Sequence, residues 1–326
     1  GHQTTLSPTR LPIDEVRQIF ESGPAHFALL DGAAESFHAA LGASDDLASA
    51  LKSWLQKNHG IIVRSLPVHV MPNLRRRYDR HSMRLFLSER LSMHDQLREL
   101  AMEVSLLALT DEISQELEAL ALSNEEAKRI ARFELARYAA HALMMPYAAY
   151  LAAAQRARYD IDVLRARFNV SFEQAANRLV SLAKPGSSAV PFFMMETDSA
   201  GNRFRKAGAQ GFPQAKFGGL CPRLNIHAAF AQPGQILVES TEMPDGASYI
   251  TISRTLEGPQ AGFGERVRRT ALMLVTETAH AKDIVYGEAL SASASAVAIG
   301  PSCRLCERQG CLSRAEAPLT RPLGLD

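Results

Sequence analysis

Hydrophobic residues recur at two different spacings along this chain, and the change falls near residue 184. Before it, apolar positions return every three or four residues, which predicts helices within 11–58, 92–122, 131–156, 160–168 and 171–183. We expect a helix stop at Gly60, an N-cap within Ser123-Asn124-Glu125-Glu126 and a kink or split at Pro146. Short β-branched runs at 60–71 and 84–87 predict a pair of strands between the helices.

The later part of the chain follows a linker and alternates apolar with polar residues. Lys184-Pro185-Gly186-Ser187-Ser188 has the composition of a linker, so we place a domain boundary there. The alternation predicts strands at 190–197, 203–209, 235–241, 248–254 and 267–275, a helix at 276–285 and a loop at 291–296. The predicted fold class is α+β, a mainly helical domain followed by a mixed α+β domain.

The charge balance limits the partners that the whole surface can attract. Lysine plus arginine total 36 and aspartate plus glutamate total 35, so the net charge of +1 gives no global field for nucleic acid or an anionic membrane. No apolar run approaches the roughly 20 residues that cross a bilayer, and the start lacks an export signal, so we expect a cytoplasmic protein. Because the chain begins Gly1-His2, we expect that upstream sequence has been removed.

The four cysteines give the clearest indication of a chemical site in this sequence. Cys303, Cys306 and Cys311 have C-x2-C-x4-C spacing, and Cys221 lies in the turn-like run Gly218-Gly219-Leu220-Cys221-Pro222. Two thiolates of a C-x2-C turn can bind one cation, and four thiolates suit either zinc or a 4Fe–4S cluster. The absence of a signal peptide disfavours disulfides, and the polar neighbours disfavour inert core thiols. The pattern predicts a C-terminal metal site with four cysteine ligands.

Two other groups of residues suggest chemistry but have ordinary alternatives. Arg75-Arg76-Arg77, between the first two predicted strands, could clamp a phosphate, although such triplets are usually solvated turns. Cys221 with His227 and Asn225 could form a Cys-His-Asn hydrolase site, but a metal-bound Cys221 cannot also be the nucleophile. His227 is equally consistent with structural hydrogen bonding.

The helical half resembles the ImmA/IrrE class of zinc peptidases. The run from Leu135 to Pro146, Leu-Ala-Arg-Tyr-Ala-Ala-His-Ala-Leu-Met-Met-Pro, is similar to the second helical element of that class. The first element, His-Glu-x-x-His, keeps Glu103 here but has Met102 and Leu106 at the ligand positions. Zinc needs two imidazoles one helical turn apart, and no two of the ten histidines are four residues apart. The resemblance therefore implies a degenerate domain without peptidase activity.

A more specific resemblance covers about 60–316. The chain is similar to the short-chain fatty acyl-CoA-responsive transcription regulators of the lambda-repressor-like (XRE) type. The runs that carry this resemblance are Arg158-Tyr159-Asp160-Ile161, Val170-Ser171-Phe172-Glu173-Gln174, Arg178-Leu179, Val190-Pro191-Phe192-Phe193, Ala200-Gly201-Asn202, Gly218-Gly219-Leu220-Cys221-Pro222, Asn225-Ile226-His227, Met243-Pro244-Asp245-Gly246, Ala279-His280-Ala281, Val285-Tyr286 and Ile299-Gly300-Pro301-Ser302-Cys303-Arg304-Leu305-Cys306-Glu307-Arg308. It departs at Leu224, where the family usually has tryptophan, and at Arg203-Phe204-Arg205-Lys206, where Ser-Lys-Arg is frequent.

This resemblance implies a regulator with three regions. We expect a helical linker or dimerisation segment at 1–59, a degenerate ImmA/IrrE-like domain at 60–184 and an acyl-CoA effector domain with the cysteines at 188–326. It also implies a DNA-binding helix-turn-helix upstream of this chain, a homodimer, and propionyl-CoA as the favoured effector for control of propionate and fatty-acid genes. No catalytic residue is expected.

A coenzyme A ester needs cationic groups for its phosphates, an aromatic or apolar cradle, and a small pocket for its acyl group. The segment 203–227 supplies such groups around two adjacent glycines, whose backbone N–H groups can approach a phosphate. The predicted ligand-binding residues are Arg203, Arg205, Lys206, Phe212, Lys216, Phe217, Gly218, Gly219, Arg223, Asn225 and His227. The alternatives are a solvated strand edge at this segment, a hydrolase using Glu103 or Cys221 with His227, and a purely structural metal module.

Overall fold

A computed structural model describes residues 11–42, 46–67, 75–200, 203–209, 224–259, 261–290 and 297–298. The described residues form two compact units. The first contains those up to Glu89 together with Asp95–Pro146, and the second contains Arg90–His94 and those from Tyr147 onward. The predicted linker 184–188 lies within the second unit, and the predicted domain limits stay a prediction.

The first unit combines helices with a small sheet. Its helices are α1 (Pro12–Ser22), α2 (Ala28–Leu41), α3 (Leu47–His59), α4 (Met93–Ala108, whose first two residues belong to the second unit), α5 (Thr110–Ala119) and α6 (Glu125–Met144). Its strands β1 (Ile62–Leu66), β2 (Arg76–Asp79) and β3 (Arg84–Ser88) lie in the order β1-β3-β2. β3 runs parallel to β1 and antiparallel to β2.

Local signals place several helix ends of this unit correctly. The Asp46 carboxylate accepts the N–H of Ser49 at 3.0 Å at the start of α3, and Gly60, at a φ of 66°, ends that helix. The Asn124 side chain accepts the N–H of Ala127 at 2.7 Å and so caps α6, as expected. α6 ends just before Pro146, which confirms the predicted break.

The prediction made for Arg75-Arg76-Arg77 is the main error in this unit. Arg76 belongs to β2, a strand that the pattern did not predict, and its side chain is only 15% exposed. The interpretation of this triplet as a solvated turn or a phosphate clamp is therefore wrong for Arg76, because its guanidinium is used inside the protein.

The second unit is built on a six-stranded sheet. Its strands are β4 (Phe193–Asp198), β5 (Arg203–Gly208), β6 (Leu237–Glu242), β7 (Ser248–Glu257), β8 (Arg269–Glu277) and β9 (Val297–Ala298), in the order β5-β4-β8-β7-β6-β9. Neighbours are antiparallel except β6 and β9. All five strands predicted after the linker are confirmed, whereas the short β9 was missed.

The second unit also contains helices. They are α7 (Tyr147–Arg156), α8 (Ile161–Phe168), α9 (Phe172–Ser181), α10 (Asn225–Ala228) and α11 (Val285–Glu288). The predicted helix at 276–285 is instead a 3-10 helix at Thr278–Asp283 followed by α11. None of the helices in the described ranges is long and apolar enough to span a membrane.

The hydrophobic core of the second unit brings α10 against the sheet. We name this cluster of buried residues the sheet core. It joins strands β4, β7 and β8 to α10 and the turns beside it, and its members are Phe193, Met195, Leu224, Ile226, Ala229, Met243, Tyr249, Ala271, Met273 and Val275. Burial of these side chains holds α10 in place, since a helix of four residues is not stable by itself.

Candidate functional site

Most of the predicted site residues lie outside the described part of the chain. They are Phe212, Lys216, Phe217, Gly218, Gly219, Arg223 and the four cysteines Cys221, Cys303, Cys306 and Cys311. Among the residues that are described, no group of three or more His, Cys, Asp or Glu side chains could hold a metal ion. The predicted roles of the masked cysteines and loop residues stay predictions.

The backbone of β5 carries three of the predicted ligand-binding residues, Arg203, Arg205 and Lys206. β5 pairs with β4 and ends at a position that only glycine can occupy. Gly208 has a φ of +105°, and a Cβ there would lie 2.2 Å from the Phe192 carbonyl oxygen. That oxygen accepts the N–H of Ala209 at 2.9 Å. The end of β5 at Gly208 is therefore a fixed backbone position, just before segment 210–223.

Asn225 anchors the chain where it returns from that segment. Its amide nitrogen donates to the carbonyl oxygens of Leu237 and Thr251 at 3.1 and 3.2 Å, and its oxygen accepts the Ser253 hydroxyl at 2.5 Å. The side chain is 2% exposed. These bonds tie α10 to β6 and β7. The ligand contact predicted for Asn225 stays a prediction, while anchoring is the role that its bonds define.

The two described residues that flank segment 210–223 belong to or contact the same hydrophobic cluster. Ala209 packs on the sheet core from one side, and Leu224 is one of its buried members. His227, a predicted ligand-binding residue, is half-buried on α10, and its N–H donates to the Leu224 carbonyl oxygen at 3.3 Å. The residues on either side of the masked segment are thus joined by the sheet core.

In the first unit, the glutamate of the degenerate peptidase motif is held by an arginine. Glu103 is buried on α4 and forms an ion pair with Arg76 of β2. The same guanidinium donates to the Glu99 carbonyl oxygen at 3.3 Å and lies 5.8 Å from the centre of the Phe133 ring. This carboxylate is therefore engaged within the protein.

The flanking positions lack the donors that a zinc peptidase requires. Met102 is buried and Leu106 is half-buried on α4, and neither side chain offers an imidazole nitrogen. With Glu103 paired to Arg76, the motif has neither metal ligands nor a carboxylate available to activate water. The motif residues contribute packing and an ion pair to this unit.

Another buried polar cluster of this unit was missed by sequence reasoning. The Tyr138 hydroxyl on α6 donates to the Asp31 carboxylate on α2 and accepts the Phe27 N–H at 3.1 Å. Nδ1 of His26 lies 3.0 Å from the same carboxylate. The donor and acceptor are 107 residues apart along the chain, and no local pattern pairs them. This cluster joins α2 to α6 through hydrogen bonds, as buried carboxylates require.

Two family models match this chain and cover it almost without interruption from residue 56. The "IrrE N-terminal-like domain" matches residues 56–180, and the "Short-chain fatty acyl coenzyme A regulator, C-terminal" matches residues 181–326. Both resemblances inferred from the residues are thereby confirmed. The solved structure of a "Mycobacterium tuberculosis transcriptional regulator" is also similar, with a TM-score of 0.89, 31% identity and coverage of 97% of each chain.

Curated relatives match along nearly the whole chain. The propionyl-CoA carboxylase regulator of Cereibacter sphaeroides is 36% identical over 315 residues, covering 97% of this chain and 67% of the relative. The regulator RamB of Mycobacterium tuberculosis is 35% identical over 321 residues, covering 97% of this chain and 68% of the relative. The chain thus spans about two thirds of the length of these relatives. It belongs to the short-chain fatty acyl coenzyme A regulator family of transcription regulators.

Proposed function

We propose that this chain is the effector-binding part of a bacterial transcription regulator and that it binds a short-chain acyl-CoA, with propionyl-CoA favoured. The observation that carries the proposal is the family match over residues 181–326, which is described as an acyl-CoA regulator region. The relative named for propionyl-CoA carboxylase supports the three-carbon acyl group. Binding of effector shifts the regulator between two arrangements only if it has a higher affinity for one of them.

Segment 203–227 is the proposed effector site. Its support is the combination of cationic and aromatic residues with two fixed ends, at Gly208 and at Asn225. Arginine and lysine side chains suit the phosphates, and adjacent glycines allow close approach of backbone N–H groups. A site held on a rigid sheet loses less conformational freedom on binding than a free loop does.

The test is calorimetric titration of the chain with propionyl-CoA, with acetyl-CoA and free coenzyme A as controls. We expect acyl-dependent binding, with the thioester recovered intact after the titration. Heat without recovery of the ester would instead indicate a hydrolase. Absence of heat with all three ligands would favour a structural module and contradict the proposal.

A pair of variants tests the location of the effector site. Arg223→Gln removes a cation from segment 203–227, whereas Arg156→Gln removes one from an exposed position in the last turn of α7. Loss of one charge-assisted contact corresponds to about a tenfold weaker Kd for Arg223→Gln, with the Arg156→Gln value unchanged. Equal Kd values for both variants would contradict this location.

The four cysteines form a second part of the proposal. Cys221 with Cys303, Cys306 and Cys311 would hold zinc or a 4Fe–4S cluster, and the proposal rests on their number and spacing. Such a site would tie the effector segment to the C-terminal part of the chain. Elemental analysis of anaerobically purified protein distinguishes the two, because stoichiometric zinc gives a colourless protein and a cluster gives visible absorption. A metal-free protein that still binds propionyl-CoA would contradict the proposed metal site but not the proposed binding of acyl-CoA.

The regulator is further proposed to act on DNA as a homodimer through a helix-turn-helix domain outside this chain. The support is the similarity to RamB, named an HTH-type transcriptional regulator, of which this chain spans 68%. Light scattering of the chain tests the dimer directly, and a monomer at all concentrations would contradict it.

A further inference from the structure

The two faces of the three-stranded sheet in the first unit differ in burial. Leu85 and Leu87 of β3 are buried, and Arg76, the partner of Leu87 in the ladder, reaches the buried Glu103. Because successive side chains of a strand point to opposite faces, the residues that alternate with these belong to the other face. The arginines on that other face are exposed to solvent.

Arginine and phenylalanine form a row across this exposed face. Phe86 of β3 pairs with Arg64 of β1 on one side and with Arg77 of β2 on the other. Arg84 lies two residues before Phe86 on the same strand, and Arg75 lies two residues before Arg77. All four arginines are exposed, and Phe86 is half-buried. We name these five residues the outer sheet face.

Little negative charge offsets the arginines of the outer sheet face. Asp79 is the partner of Arg84 in the ladder, but its carboxylate accepts the Ser82 hydroxyl and the His81 N–H, each at 2.9 Å. Within the described part of the chain, no carboxylate forms an ion pair with any of the four arginines. The outer sheet face is therefore positively charged, although the whole chain has a net charge of only +1.

The spacing of these arginines suits the phosphates of duplex DNA. Neighbouring strands lie about 4.8 Å apart, so the backbones of Arg64 and Arg77, on the two outer strands, are separated by roughly 10 Å. The DNA major groove is about 12 Å wide, so these long side chains can reach phosphates on both of its sides. Arg75 and Arg77 are about 7 Å apart along the chain, close to two phosphate intervals of one DNA strand.

We propose that the outer sheet face binds the phosphate backbone of duplex DNA, with Arg64 and Arg77 on either side of Phe86 as its central contacts. Duplex DNA is the polyanion that fits, because the chain belongs to a family of transcription regulators. Contacts to phosphates position a protein on DNA and add affinity without reading base sequence. The proposal rests on the regulator function and does not depend on acyl-CoA binding.

The experiment measures binding of the 326-residue chain to a fluorescently labelled DNA duplex of random sequence, about three helical turns or ~30 base pairs long. Fluorescence anisotropy is recorded from about 50 to 200 mM sodium chloride, without acyl-CoA. We expect saturable binding that weakens steeply with salt. Arg64→Gln and Arg77→Gln should each weaken binding and reduce the slope of log K against log salt by about 0.9, since each removes one phosphate contact.

Arg129→Gln is the matched control, because Arg129 is an exposed arginine on α6 of the same unit. It should leave both the affinity for DNA and the salt slope at the wild-type values. Arg64 and Arg77 are exposed and form no ion pair within the described ranges, so their replacement should preserve the fold. Circular dichroism of each variant checks this.

Several results would overturn the proposal. They are no binding of the wild type at the lowest salt, an unchanged salt slope in either variant, an equal change in Arg129→Gln, or stronger binding to single-stranded DNA of the same length.

Titration of the same variants with propionyl-CoA separates this proposal from the effector site. Weaker DNA binding with unchanged acyl-CoA affinity supports the DNA contact. Unchanged DNA binding with weaker acyl-CoA binding would contradict it and would move part of the effector site to the outer sheet face.

Discussion

Among the residues that the structure describes, an arginine lies over a phenylalanine ring in each unit, and the two guanidinium groups differ in their polar contacts. Arg76 lies 5.8 Å from the ring centre of Phe133 and is ion-paired with the buried Glu103. Arg254 lies 4.8 Å from the ring centre of Phe172, and its Nε has no acceptor among the described residues. The difference between these two sites is whether the guanidinium meets a buried carboxylate of its own unit.

The ion pair between Arg76 and Glu103 also bears on the peptidase-like motif. In a working zinc peptidase, a motif glutamate must be available to water, but here Arg76 holds Glu103. A buried carboxylate that keeps its ion pair avoids the cost of an uncompensated charge, whereas a buried N–H group without an acceptor retains its desolvation cost. The predictions below test this contrast between a satisfied and an unsatisfied polar centre, beginning with the largest expected effect.

Replacement of Arg76 by alanine should have the largest effect on stability. It leaves the Glu103 carboxylate buried without its partner, which costs about 3–5 kcal/mol of unfolding free energy. Urea denaturation followed by circular dichroism measures this loss. The double variant Arg76→Met/Glu103→Gln removes both charges and should recover much of it. A single variant that loses less than about 1 kcal/mol would place this pair among weak surface ion pairs.

Asn225→Ala should be the next largest change. It leaves two carbonyl oxygens and the Ser253 hydroxyl without their hydrogen bonds in a buried region, at a cost of roughly 2–4 kcal/mol. Asn177→Ala is the control, because Asn177 is half-buried and its side chain donates to the Glu173 carbonyl oxygen of its own helix. Equal losses of unfolding free energy in the two variants would show that the hydrogen bonds between α10 and the sheet stabilise the protein no more than a bond within one helix does.

Helix caps should behave alike in the two units, because capping is a local interaction. Asn124→Ala in the first unit and Ser171→Ala in the second each remove a side-chain acceptor from a helix start. We expect each to lower the free energy of unfolding by about 1 kcal/mol, as measured in urea. A large effect at only one cap would mean that the two units unfold separately and differ in their own stability.

The smallest effect is a pH dependence from Glu239 on β6. Burial raises the pKa of this carboxyl above its ordinary value of 4.5, and its Oε2 has no hydrogen-bond partner among the described residues. The folded state then binds the proton more tightly than the unfolded state does. The free energy of unfolding should therefore fall as the pH rises from about 4.5 through the folded-state pKa.

Glu239→Gln should remove that dependence, so its stability relative to the wild type should increase between acidic and neutral pH. Glu242→Gln, at the exposed end of the same strand, serves as the control and should show no such trend. A relative stability of Glu239→Gln that is flat with pH would contradict the assignment. Unlike Glu239, Arg254 keeps its charge at these pH values, since guanidinium groups stay protonated.

Local signals in the sequence predicted the elements that depend on neighbouring residues. Gly60 ends α3 with a left-handed conformation, Asn124 caps α6, and Pro146 separates α6 from α7. The long strands of the second unit were predicted from their aromatic and β-branched residues, although the middle of β4, β7 and β8 is buried on both faces. The short helix α10 was missed, because four residues carry no periodic signal and its packing on the sheet core holds it.

The polar contacts of the candidate sites required the tertiary structure. Glu103 was recognised from its motif, but its partner Arg76 is 27 residues away on a strand that was not predicted. Asn225 was expected to contact ligand, and its amide bonds to groups 12, 26 and 28 residues away. Arg254 was not singled out at all, because its exposure, its ring contact and the engagement of nearby acids follow only from packing.

The sequence by itself determined the family, the loss of the zinc ligands at Met102 and Leu106, and the order of the longer helices and strands. These properties follow from residue identity and from short-range spacing. Only the tertiary structure decided which charges are neutralised, since ion pairing and desolvation depend on distances between segments far apart in the chain. For this reason only the structure shows that Glu103 neutralises Arg76 and that the Arg254 Nε has no acceptor among the described residues.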